Sequence, residues 1–128
     1  MKNQRGMILL EILLSVVILS VGLIVIYHSI LGSLSAFNYV KLREEANRFI
    51  GVQVWSISQA IHENPKASVN ARNELIKLGN KEARYQLKIN PLTPDNKLLE
   101  MDHTVVWKVG GHMRTVERIV YLLTPGKA

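Results

Sequence analysis

At 128 residues the chain has room for one domain and one elongated helical element, not two separate cores. Its net charge is +6, and beyond Lys2 and Arg5 the basic residues are scattered between Lys41 and Lys127, with Glu44, Glu45, Glu74 and Glu117 among them. No basic cluster interleaved with aromatics exists, so a solvated mixed surface explains the charge better than a nucleic-acid footprint. Cysteine is absent, which excludes disulfides, thiolate metal sites and cysteine nucleophiles.

The chain starts with a short polar stretch, Met1 to Arg5, carrying Lys2 and Arg5. Gly6 follows, and the sequence then turns apolar through Met7-Ile8-Leu9-Leu10. From Ile12 to Val40 there is no Asp, Glu, Lys or Arg. Such a run forms roughly 43 Å of helix at ~1.5 Å per residue, more than the ~30 Å hydrocarbon core of a bilayer. A cleaved secretory signal has an apolar region of only ~7–15 residues. Here the apolar character continues past Ser33, Ser35 and Ala36 into Phe37 and Tyr39. A membrane span is the expectation. Glu11 is the anomaly within it. A carboxylate at the bilayer centre costs ~2.5–3.5 kcal/mol on insertion scales and less near an end. Taken alone, Glu11 reads equally well as a side chain one turn inside the helix, reaching back to the interface.

Its spacing from Gly6 adds a second reading. A basic leader, Gly6, the hydrophobic Met7, apolar Ile8 to Leu10, then Glu11 as the fifth residue after the glycine: this pattern resembles the class III signal of type IV prepilins and pseudopilins. The resemblance implies that a membrane-embedded prepilin peptidase cuts between Gly6 and Met7 and N-methylates Met7. It also implies that Glu11 serves filament assembly, neutralising the Met7 amine of a neighbouring subunit inside an apolar bundle where an unpaired charge is costly. Two positions depart from the usual pattern, Met7 standing for phenylalanine and Ile8 for threonine, and both keep the segment apolar. His28 stands where many major pilins have a kinking proline, which points toward a minor subunit. Flanking charges, Lys2 and Arg5 before the span and Lys41, Arg43 and Arg48 after it, do not set an orientation. An N-terminus in the cytoplasm, with the C-terminal domain outside the inner membrane, rests on the resemblance.

The helical pattern continues beyond the apolar run. Leu42, Ala46, Phe49, Ile50, Ile57 and Ile61 form a stripe suited to covering a sheet, and Pro65 ends it. One helix from about Ile8 to His62 is expected, with Gly22, Gly32 and Gly51 as weak points. Gly22, Ser20 and Ser15 read alternatively as small positions for close helix packing. A short second helix is expected at Ala71 to Leu78, closed by Gly79. Beyond Gly79 the period becomes two: Ala83, Tyr85, Leu87 and Ile89 alternate with polar residues as a half-buried strand. Pro91, Pro94 and Asp95-Asn96 form a turn. Leu98 to Val109 and His112 to Leu123 read as two strands around Gly110-Gly111, a register placing Val105 opposite Val116, Met101 opposite Val120 and Leu99 opposite Leu122. Trp107 reads as an ordinary strand aromatic.

The fold class is therefore α+β: a long N-terminal transmembrane helix whose second half packs on a small antiparallel sheet. The divisions are 1–6 leader, 7–40 membrane and filament-core helix, and 41–128 soluble domain. This layout also resembles pseudopilins over most of the chain. The ending Val105-Val106-Trp107 with Val120-Tyr121-Leu122-Leu123-Thr124 is similar to the final strands of the I-type minor pseudopilin and V-type minor pilins.

Catalytic chemistry is not expected. His28, His62, His103 and His112 lack ligand spacing, Asp95 and Asp102 make no calcium loop, and Gly110-Gly111 joins strands rather than cradling phosphate. His28 within the span suits a neutral interhelical hydrogen bond. No cofactor and no small-molecule substrate are implied. The resemblance implies as partners the prepilin peptidase, other minor and major pilin or pseudopilin subunits, and the membrane. The function expected is a minor pseudopilin or minor pilin that initiates or caps a filament for protein secretion. A DNA-uptake or adhesion minor pilin, and an unprocessed single-pass anchored domain, remain as alternatives.

Overall fold

The structure is a computed structural model and describes residues 2–65 and 68–125. Met1, the first residue of the expected leader, and Lys127, the last of the scattered basic residues, lie outside them. The element order is α1 (Lys2–Glu63), β1 (Arg72–Leu78), β2 (Lys81–Pro91), β3 (Leu98–Val109) and β4 (His112–Leu123). Two compact units divide the chain at Val40/Lys41, and α1 runs through both. The first unit is helical from Lys2 onward, and none of its described side chains is buried. No proline interrupts α1, which begins six residues upstream of the expected start at Ile8. Gly22, Gly32 and Gly51 do not break it either, because each costs only about 1 kcal/mol against the cooperativity of a long helix. The helix ends where the amide of Asn64 bonds the Ala60 carbonyl at 3.0 Å, just before Pro65.

The second unit holds the rest of α1 and an antiparallel sheet of order β1-β2-β3-β4. The expected stripe is the buried one: Ala46, Ile50, Ile57 and Ile61 lose contact with solvent, with Leu42 and Phe49 half-buried beside them. They meet alternate residues of the sheet: Leu78 from β1, Ala83, Tyr85 and Leu87 from β2, and Met101, His103, Val105 and Trp107 from β3. Phe49 stands edge-on to Tyr85, with ring centres 5.1 Å apart. From β4, only Val116, Val120 and Leu122 turn partly inward.

The register expected from Gly110-Gly111 is the one observed, with Val105↔Val116, Met101↔Val120 and Leu99↔Leu122 paired. Both glycines have positive φ, 55° and 85°, as a mirror-image two-residue turn requires. Pro91 closes β2 opposite Leu99, beyond the end of β1, so its missing N–H interrupts no ladder. The expected turn is built on Asn96, whose amide bonds the Thr93 carbonyl at 3.0 Å and whose φ is 52°.

One element differs in kind. Residues 72–78 form strand β1, not the short helix expected over Ala71 to Leu78. Gly79, taken as a helix cap, instead begins the two-residue turn Gly79-Asn80 with φ 58° and folds β1 back onto β2. Leu75 and Leu78 mimic a helical spacing, but pairing with the apolar strand β2 overrides that local preference.

Candidate processing and assembly site

Gly6, Met7 and Glu11 all lie in the first unit, on α1. A side chain added at Gly6 would meet nothing within 4 Å, so space alone does not demand a glycine there. Glycine is a locally weak helical residue, easier than its neighbours to open into extended backbone. Met7 is 72 % exposed, and Leu9, Leu10 and the apolar residues that follow are exposed as well. Glu11 is exposed too and is the sole Asp, Glu, Lys or Arg from Met7 to Val40.

Met7 and Glu11 are four residues apart, one helical turn, and so share a face. A helix beginning at Met7 would carry a charged amine at its start and a carboxylate in its first turn. The carboxylate is favoured there by the helix dipole, and the amine is not. Such an amine would call for a carboxylate partner, and Glu11 is the acid within this segment.

Three hydroxyls of the apolar stretch are satisfied within the helix. Ser15 donates to the Glu11 carbonyl at 2.8 Å, Ser20 to Val16 at 2.7 Å and Ser33 to Ser29 at 2.9 Å. Such back-bonding removes the cost of placing hydroxyls in hydrocarbon. The helix is long and apolar enough to cross a membrane by length and composition. Ser15, Ser20 and Gly22 stay exposed on it, and a Cβ added at Gly22 would meet nothing within 4 Å beyond the helix's own backbone.

A second polar feature lies in the core of the other unit. His103 is fully buried, and its Nδ1 is 2.8 Å from the equally buried Tyr85 hydroxyl. His103 Nε2 and Trp107 Nε1 are buried with no hydrogen-bond partner among the described residues. Burial holds the His103 imidazole below its ordinary pKa, with Asp102 opposing and Arg118 reinforcing the shift. Burial also pushes the Tyr85 hydroxyl up to about 12, against the influence of Arg72 and with that of Glu74. This pair was not foreseen. The signal was available in the period of two, since His103 falls between Met101 and Val105 on the inward face. His62 lies in the last turn of α1, and His112 is exposed at the start of β4. Among the described residues no three His, Asp or Glu side chains gather where they could hold a metal ion.

Compared with known families, curated proteins and solved structures, the chain matches none. The functional reading thus rests on the chemistry of Gly6, Met7 and Glu11 and on the architecture that follows them.

Proposed function

We propose that this chain is a prepilin-like subunit, cut after Gly6, methylated at Met7, and incorporated into a pilus-like filament as a minor pseudopilin or minor pilin. In this reading residues 7–40 anchor the subunit in the inner membrane before assembly and form its filament core afterwards. The domain of residues 41–128 stands on the extracytoplasmic side. The prepilin peptidase and the neighbouring pilin subunits are its partners. No bond-making chemistry is assigned to the domain.

The observation that carries the proposal is Glu11: one carboxylate, five residues after a glycine, on an apolar helical stretch, residues 7–40, with no buried residue. Within a bundle of such helices, that carboxylate and a neighbour's amine neutralise each other across an environment of low dielectric. Removing one member of a buried charge pair costs about 3–5 kcal/mol in general, because the other is left uncompensated. The architecture agrees with this role, since the same helix continues unbroken into a folded α+β domain.

The test is co-purification or cross-linking with neighbouring pilin subunits, wild type against Glu11→Ala, at matched membrane levels. The expected outcome is intact insertion and intact leader cleavage with association reduced by an order of magnitude or more. Glu11→Lys should be worse, because it adds repulsion wherever a Met7 amine is met. Unchanged association in both variants would reduce Glu11 to an interfacial charge.

A further inference from the structure

Among the described residues the sheet ends in two edge strands, β1 and β4, and they are complementary to each other. With order β1-β2-β3-β4 and every neighbour antiparallel, β1 and β4 run in opposite directions. A second copy displaced sideways, without rotation, therefore brings its β4 antiparallel to β1 of the first.

The backbone fixes which residues face outward at each edge. The amide of Thr124 bonds the Lys97 carbonyl, which continues the β3–β4 ladder. Bonded pairs of that ladder thus join odd residues of β3 to even residues of β4. The odd residues of β4 (Met113, Thr115, Glu117, Ile119, Tyr121) direct their amides and carbonyls away from the sheet. On the other side the Leu92 amide bonds the Leu98 carbonyl, so even residues of β2 bond to β3 and odd residues to β1. The register Ile76↔Ala83 and Glu74↔Tyr85 then uses the even residues of β1, and Asn73, Leu75 and Lys77 face outward. The odd residues of both edges also share the sheet face away from α1, since the buried positions beside them are Leu78, Met101, Val105 and Trp107.

We propose that this domain self-associates head to tail, β1 of one copy adding to β4 of the next with Lys77 opposite Glu117 and Leu75 opposite Ile119. Only odd-to-odd registers satisfy the outward backbone groups. A shift by two residues in either direction separates Lys77 from Glu117 and Leu75 from Ile119 together. Leu75 and Ile119 are 75 % and 50 % exposed, and each is the apolar residue two positions from the charged one. Among the described residues neither Lys77 nor Glu117 has an ion-pair partner, although Glu82 stands opposite Lys77 on β2. Pairing β4 with itself about its middle would set Glu117 against Glu117, which favours the head-to-tail mode. Such an interface is heterologous and repeats, so it extends a row of subunits rather than closing a dimer. This inference is independent of leader cleavage and of the role of Glu11.

The chain's lack of cysteine makes the test direct. Two differently tagged full-length copies, Leu75→Cys and Ile119→Cys, are co-expressed in membranes and mildly oxidised. Directly opposite bonded residues lie about 5.5 Å apart at Cα, within disulfide range. The expected result is a mixed-tag dimer that exceeds either same-tag dimer and exceeds the yield of Leu75→Cys with Met113→Cys. Lys77→Glu in the first copy should lower the yield about two- to fivefold, and Glu117→Lys in the second should restore it. No mixed dimer, equal yields in every pairing, a dominant Leu75→Cys same-tag product, or failure of the charge swap to rescue would each overturn the proposal.

Discussion

Replacing Tyr85 by phenylalanine tests whether the buried polar pair stabilises the domain. The ring stays in place, still edge-on to Phe49 at 5.1 Å, so the packing loss is small. What goes is the hydroxyl 2.8 Å from His103 Nδ1. A buried neutral hydrogen bond contributes about 1 kcal/mol net, but stranding its partner costs about 1–3 kcal/mol. His103 Nε2 already lacks a partner, so the substitution leaves an imidazole with both nitrogens unsatisfied in the core. The expected loss is therefore about 1–3 kcal/mol, or some 4–8 °C in Tm per kcal/mol for a domain of this size. Denaturant melts of a chain lacking residues 1–34 provide the assay, since that truncation keeps the core of the second unit and should yield a soluble, folded domain. The double variant Tyr85→Phe with His103→Leu removes both polar groups together. It should be no less stable than Tyr85→Phe alone, giving strongly non-additive energies. A loss under about 0.5 kcal/mol for Tyr85→Phe, or simple additivity in the cycle, would refute the reasoning.

Other outcomes follow from the same core. Trp107, 2 % exposed, should cost about 3–5 kcal/mol on truncation to alanine, whereas exposed Lys108→Ala should stay within about 0.5 kcal/mol; equal shifts would contradict the burial face of β3. His103 is held below its ordinary pKa of 6.5, so below that pH the unfolded chain binds the proton that the folded core resists. Stability should then fall as pH drops below about 6.5, and His103→Leu should flatten the slope in thermal melts at stepped pH.

The elements that were legible before the structure are those in which local chemistry and tertiary placement agree. Gly110-Gly111 between two apolar runs determines both the turn and the register of β3 and β4, since only a positive-φ pair closes so tight a hairpin. The stripe from Leu42 to Ile61 is legible because its period fits a helix covering a sheet. β1 was illegible for the opposite reason. Asn73-Glu74-Leu75-Ile76-Lys77-Leu78 carries good helix formers, and its strand state is imposed by β2. His103 stayed hidden because its role depends on Tyr85, eighteen residues away and brought near only by the β2–β3 register. At the N-terminus, Gly6, Met7 and Glu11 carry their message in spacing alone, and the fold adds that all three stand exposed on one helix.

The central claim is that Gly6 marks a processing point and Met7 a modified N-terminus. Intact-mass measurement of the full chain co-expressed with a prepilin peptidase tests it most directly. The account predicts loss of the first six residues and gain of one methyl group on Met7, with Gly6→Val leaving the chain uncut. An unprocessed chain, a cut near Ser35, or normal processing of Gly6→Val would contradict it.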